Sequence, residues 1–223
     1  MPPATACLFR YPVAERYGLV WAFNGEEPHW DLPDFKYPDD ELVFKIQRFE
    51  TVMEVDPWIV CANTPDIQHI KALHGIQFAQ EDPDETIEWT DHSMFYEFTG
   101  YHRQGERIDN RVGIVGTSIF HQQTDFAGKW FGFLAPFGMP RPGRTISYIA
   151  VCAHKDSGTP AEIDAFIDFV IDLERQILFE DVDIMQTIKF RPGTLTRSDK
   201  ALAKFFNYVR NYPRAHPGAE FIR

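Results

Sequence analysis

Residues 159–181 read TPAEIDAFIDFVIDLERQILFED, and this stretch decides the fold class. Thr159, Pro160 and Glu162 form a capping box: a threonine to accept from a free backbone N–H, a proline at the first helical position, and a glutamate reaching back. Ile163, Phe166, Ile167, Val170, Leu173 or Glu174, and Ile177 then recur at helical spacing, with Asp164, Asp168 and Asp172 on the opposite side. The pattern predicts one long amphipathic helix over Pro160–Phe179. Asp181 follows Ile177 by four residues and falls in register with the apolar face. A carboxylate there is costly unless it is paired or bound to a metal. Asp183 would be turned roughly 200° away if the helix continues. The alternative is a helix that frays near Phe179 and leaves Asp181 in solvent.

Upstream lies a ladder of strand-like segments: TIEWTDHSMFYEFTGY (Thr86–Tyr101), RVGIVGTSIFHQQ (Arg111–Gln123), KWFGFLAPF (Lys129–Phe137) and RTISYIAVCAHKD (Arg144–Asp156). Turn signals at Arg103–Glu106, Asp125–Gly128 and Met139–Gly143 separate them, and short turns between successive strands imply antiparallel pairing. LVFKIQRFETVMEV (Leu42–Val55) is a further strand-like run after a loop rich in Pro and Asp. Phe9–Phe23 reads as two short strands around Val13–Tyr17, and Asn24-Gly25 is a strong turn signal. Strands followed by one long helix predict an α+β fold, with one sheet face solvated or covered by a partner. After the break FRPGTL (Phe190–Leu195), Ser198 caps a last helix, DKALAKFFNYVRNY, whose Leu202, Phe205, Phe206 and Val209 form a packing stripe.

At 223 residues the chain has the length for a large core. Its 20 Phe predict an aromatic-rich interior or an apolar cavity. The net charge of −11 argues against nucleic acid or an anionic membrane as a partner. Charge is uneven: residues 26–41 are acidic and 189–214 basic, patches that could meet between subunits. Cys7, Cys61 and Cys152 are scattered without a CxxC, which fits a reducing cytoplasm. The start, MPPATACLFR, lacks a secretory apolar region, and no apolar run is long enough to span a bilayer.

The chemistry concentrates in DPWIVCANTPDIQHIKALHG (Asp56–Gly75). Thr64-Pro65 is a helix start and Gly75 a stop, which predicts a short helix over Pro65–His74, or an earlier start with a kink at Pro65. Asp66 and His69 share a face. His69 and His74 are turned roughly 140° apart on an ideal helix, so both reach one ion only if the helix loosens or ends near His74. Two imidazoles and a carboxylate leave open positions on Fe(II), and a carboxylate beside a ligating His can orient its ring. The plainer alternative is two polar or satisfied core histidines, because short motifs match by chance. His92, His102, His121 and His154 lack a local ligand partner and read as surface or satisfied residues, His121 being the exception if it faces the cavity.

The order of YPVAERYGLVWAFNG (Tyr11–Gly25), N-x2-D-x2-H-x4-H (Asn63–His74) and the Glu180-Asp181 pair resembles the catalytic (alpha) subunits of Rieske non-heme iron oxygenases. The resemblance implies a helix-grip, Bet v1-like fold: an antiparallel sheet wrapped around a long helix, with a cavity between. It implies that His69, His74 and Asp181 bind a mononuclear Fe(II), that Asp66 is a bridging carboxylate on the electron path, and that Asn63 lies close to the iron. Residues 1–25 would be the remnant of a Rieske domain and 26–223 the catalytic domain, acting with O2 on an aromatic or other apolar compound. A Rieske cluster takes two Cys and two His, and the family's paired pattern, C-x-H followed by C-x2-H, does not occur here. No 2Fe–2S cluster is therefore expected in this chain. Electrons would come from a Rieske or ferredoxin-type donor on another chain, in a trimer by the same resemblance, with the surface near Asp66 as an interface and Leu19 and Trp21 unusually exposed. A split subunit, a fragment and an inactive homologue all fit. So do two other classes, a metal-free carrier of an apolar ligand and a zinc hydrolase on the same ligands.

Overall fold

The computed structural model describes residues 10–188 and 193–213. Cys7 and the first part of the FRPGTL break lie outside the described residues. The described residues fall into two compact units, one holding residues 10–32 and the other the described residues from Pro33 to Tyr212.

In the first unit, β1 (Val13–Arg16) and β2 (Leu19–Ala22) pair antiparallel, with Arg16 opposite Leu19. The hairpin turns on Tyr17-Gly18, at φ 58° and 68°, and Asn24-Gly25 follows the second strand. A two-residue turn with both φ positive matches strand twist. Leu19 and Trp21 are half-buried. Val13 and Val20, at 64% and 71%, are the more exposed large apolar side chains of the two strands.

The second unit holds an antiparallel sheet of eight strands: β3 (Leu42–Arg48), β4 (Gln77–Phe78), β5 (Glu88–Trp89), β6 (Ser93–Tyr101), β7 (Arg107–Val115), β8 (Ile119–Phe126), β9 (Lys129–Arg141) and β10 (Arg144–His154). Their order is β3-β10-β9-β8-β7-β6-β4, with β5 also on β6. The described elements also include four α-helices, α1 (Pro57–Cys61), α2 (Ile67–Ala72), α3 (Pro160–Met185) and α4 (Lys200–Asn211), and two short 3-10 turns at Asp39–Glu41 and Pro83–Glu85.

The α+β expectation holds, and several boundaries move: the Leu42–Val55 run is a strand only as far as Arg48. RVGIVGTSIFHQQ is not one strand: it bends at Gly116, φ 64°, into the β7–β8 hairpin. TIEWTDHSMFYEFTGY likewise folds back between Trp89 and Ser93. The last helix begins at Lys200 after Asp199, rather than under a Ser198 cap, and Asp199 shows no capping hydrogen bond. Its stripe packs as expected, with Phe205 fully buried in the core and Leu202, Phe206 and Val209 against it.

Alternation along the strands separates two faces. On one, Tyr96, Phe98, Ile108, Val112, Phe131 and Phe133 meet Ile163, Ile167, Val170, Leu178 and Val182 of α3 in a single core. The capping box forms as read: Glu162 N donates to Thr159 Oγ1, and Thr159 N donates to Glu162 Oε2 at 2.8 Å. The helix runs past Phe179 to Met185 because its apolar stripe continues through Leu178, Val182 and Met185. On the other face of the sheet Arg111 pairs with Glu97 and Glu88, while Phe35 and His121 stack at 4.8 Å.

Gly113 of β7 makes this second face possible. A Cβ there would lie 2.2 Å from the Met94 carbonyl oxygen and 2.3 Å from the Phe95 ring. Gly113→Ala must therefore spread the central β6–β7 pair, and urea unfolding should show a loss of about 3 kcal/mol, the upper range for overpacking.

Candidate metal centre

The segment Asp56–Gly75 folds as two short helices with a break, not as one helix over Pro65–His74. Pro57 opens α1, and the chain tightens after Cys61, where Thr64 N donates to the Cys61 carbonyl at 3.2 Å. Pro65 offers no N–H, so a new start is needed. Asp66, rather than Thr64, caps α2: its Oδ1 accepts from the His69 backbone N at 3.1 Å. The Thr64 carbonyl instead accepts from the buried Tyr96 hydroxyl at 2.7 Å, which ties the break to β6. The carboxylate of Asp66 thus holds the backbone of His69, where a bond to its ring was expected.

The second histidine lies beyond the helix. Helical structure ends at Ala72, Leu73 N donates to the His69 carbonyl at 2.9 Å, and Gly75 takes φ 67°. Leaving the helix removes the angular conflict between His69 and His74. From the other side α3 presents Asp181, two turns after Glu174 and 5% exposed. Asp183 is exposed.

His69 Nε2 lies 3.0 Å from His74 Nε2 and 3.0 Å from Asp181 Oδ1, and His74 Nε2 lies 3.2 Å from that same oxygen. Despite these distances Asp181 Oδ1 has no hydrogen-bond donor. The two ring nitrogens meet hydrogen-bond geometry with each other, but the carboxylate oxygen beside them accepts from neither, and three donor atoms crowded on one point in this way are how ligands converging on a common ion are arranged. Ligand atoms about 2.1 Å from one ion and at right angles to each other stand about 3.0 Å apart. These three are the group of potential metal ligands among the described residues, and the donor set suits Fe(II) with open positions.

Glu180, beside Asp181, completes the arrangement. His74 Nδ1 lies 3.0 Å from Glu180 Oε2, and Glu180 Oε1 accepts from Arg103 Nη2 at 2.6 Å. With Nδ1–H donated to Glu180, Nε2 keeps its lone pair for a metal. Burial opposes charge on His74, but the Asp181 and Glu180 carboxylates outweigh it and raise its pKa. Burial likewise pushes Asp181 up, and the two histidines bring it below its usual value. Glu180→Gln should weaken iron binding by about 10- to 100-fold without abolishing it, as titration of the apo protein with Fe(II) would measure. Nothing in the sequence distinguished Glu180 from a surface acid, because its partners lie 77 and 106 residues away.

The three ligand atoms open on a cavity of about 140 Å³ between α1–α2, α3 and the sheet. Its walls are mostly apolar, with Val60, Ile70, Tyr96, Phe98, Phe131 and Phe133 prominent. Asn63 lines it, and its buried Nδ2 has no acceptor. Sequence reasoning missed His102, Asn110, Gln122, Thr124 and Glu174, which also line it. It left His121 open as a cavity residue, but His121 lies on the opposite face of β8, 1% exposed between Phe35 and Phe95. Burial there depresses its pKa to about 4. A C-x-H spacing does occur, at Cys152–His154 of β10. Cys152 is buried against Gly132 and Phe35, and His154 faces Glu41 at 3.3 Å and Tyr37.

No family model matches the chain, and no curated protein matches it. Among the described residues no helix is long and apolar enough to cross a membrane. Solved structures share the fold. Dicamba monooxygenase bound to dicamba aligns with a TM-score of 0.65 over 91% of this chain and 69% of that one, at 13% identity. NdmA of Pseudomonas putida CBB5, as a QL mutant with theobromine, aligns at 0.57 over 93% of this chain and 62% of that one, at 15% identity. Dicamba monooxygenase with non-heme iron and dicamba aligns at 0.54, over 91% and 68%, at 11% identity. The chain thus spans 62% to 69% of the length of these proteins. At such identities the likeness is one of fold: this α+β chain, with its antiparallel sheet and three converging ligand atoms, carries the fold of these proteins.

Proposed function

We propose that the chain is the catalytic part of a Rieske-type mononuclear non-heme iron oxygenase, with His69, His74 and Asp181 holding Fe(II). The observation that carries this reading is the donorless Asp181 oxygen, 3.0 and 3.2 Å from two imidazole nitrogens at the edge of an apolar cavity. A fold shared with a monooxygenase solved with non-heme iron supports it, and so does a long helix packed on one face of an antiparallel sheet, which is compatible with a helix-grip fold. Fe(II) in this position supplies O2 activation for hydroxylating or demethylating an apolar or aromatic compound.

The chain's own residues do the positioning. Glu180 and Arg103 fix the His74 ring, the Asp66 cap fixes α2, and the aromatic walls hold substrate and exclude water. Asn63 places an unpaired amide N–H in the cavity beside the ligands. Electrons are assigned to a Rieske cluster on another chain, reaching the centre through Asp66 at an interface in a homotrimer. The buried free thiols of Cys61 and Cys152 suit a reducing cytoplasm.

Metal analysis of anaerobically purified protein tests the reading. Stoichiometric iron supports the oxygenase, stoichiometric zinc points to a hydrolase, and no metal points to a carrier. The role of Asp66 has its own test. Asn caps helices as well as Asp does, so Asp66→Asn should keep α2 and its iron while losing turnover driven by an added Rieske protein. Loss of iron in that variant would make Asp66 a ligand instead.

A further inference from the structure

Glu174 is a buried acid that the three ligand atoms do not use. It is 4% exposed, lines the same cavity, and sits seven residues before Asp181 on α3. Seven residues are about 10 Å along a helix, so the two carboxyl groups mark opposite ends of one wall.

A short polar chain surrounds it. Gln122 Nε2 donates to Glu174 Oε1 at 3.2 Å and to Thr124 Oγ1 at 2.8 Å, and the Thr124 hydroxyl donates to Asn110 Oδ1. Both amide hydrogens of Gln122 and the threonine proton are thereby used. Glu174 Oε2 and Gln122 Oε1 remain as acceptors without a hydrogen bond among the described residues, although Asn110 Nδ2, Asn63 Nδ2 and the His102 ring also line the cavity. No Lys or Arg lines the cavity. Burial pushes the Glu174 carboxyl up to about 8, against the opposing pull of His74 and Gln122. A buried carboxyl with one neutral hydrogen bond costs stability. The stripe of α3 would be continuous with a Leu at 174, and packing gives no reason for an acid there.

We propose that Glu174 and Gln122 bind an N–H donor, a small amine or its ammonium form, so that the substrate is a one-ring compound bearing a nitrogen base and not a carboxylate. The cavity, about 140 Å³, is close to the roughly 150 Å³ that encloses a benzene. With the nitrogen at Glu174, the rest of the molecule extends along Ile177 and Leu178 toward Asp181. The inference rests on the oxygenase reading only in calling the ligand a substrate, since the polar chain itself needs no metal.

Calorimetric titration of the metal-free chain with benzylamine, benzyl alcohol and benzoate tests it. Benzylamine should bind roughly tenfold or more tighter than either other probe, the size of one charge-assisted hydrogen bond. Glu174→Gln, which keeps the shape, should remove that preference while leaving benzyl alcohol within about twofold. Gln122→Leu should weaken benzylamine as well, and serves if the first variant does not fold. Tighter binding of benzoate, no binding of benzylamine, or an unchanged preference in the variants would overturn the proposal. Iron content is measured on the same preparations. Iron without amine binding sinks this inference and leaves the oxygenase standing, whereas amine binding without iron does the reverse.

Discussion

His74→Ala is expected to abolish stoichiometric iron binding and to unfold at lower urea concentration even without metal. Removing the ring deletes one of the three proposed ligand atoms. It also strips Asp181 and Glu180 of a shared partner. Asp181 is almost fully buried, and breaking a buried charged cluster by taking out one member costs about 3 kcal/mol or more. Metal analysis and urea unfolding of the apo protein separate the two effects. His69→Ala should lose iron equally, but it leaves the Glu180–His74 pair in place, so its apo stability should fall less. A His74→Ala protein that keeps a full equivalent of iron would remove His74 from the centre.

Glu174→Gln is expected to make the protein more stable at neutral and mildly alkaline pH. In the unfolded chain this carboxyl loses its proton near the ordinary 4.5, while in the fold burial holds the proton up to about 8. Between those values the folded state binds more protons than the unfolded one, so the carboxyl's contribution is fully present below 4.5 and is lost as pH rises through about 8. The loss across that window is of the order of a few kcal/mol. Glutamine does not titrate, so the variant's stability should lack this decline. Urea unfolding of both proteins between pH 5 and about 8.5 measures the difference. Parallel curves would mean that the Glu174 environment is solvated. Gain of stability on losing a side chain is what a residue kept for binding shows.

What the amino-acid order determined by itself is local. The capping box, the 3–4 spacing of the α3 stripe and the in-register position of Asp181 are set by residues within two helical turns, and these are legible because helical geometry repeats over such distances. The short spacing from Asp66 to His74 and the Pro65 break likewise pointed to the stretch that lies beside Asp181. Only the tertiary structure decided the rest. The hairpin at Gly116 was hidden inside an apolar run without an Asn-Gly or Pro signal. Glu174, Gln122, Thr124 and Asn110 become one polar chain only through the β7–β8 register and the seating of α3, with 52 residues between Gln122 and Glu174. His102 and Glu180 join the cavity region and His121 leaves it for the same reason. Which face of a strand a side chain occupies changes with a one-residue shift in register, and the whole packed sheet sets that register.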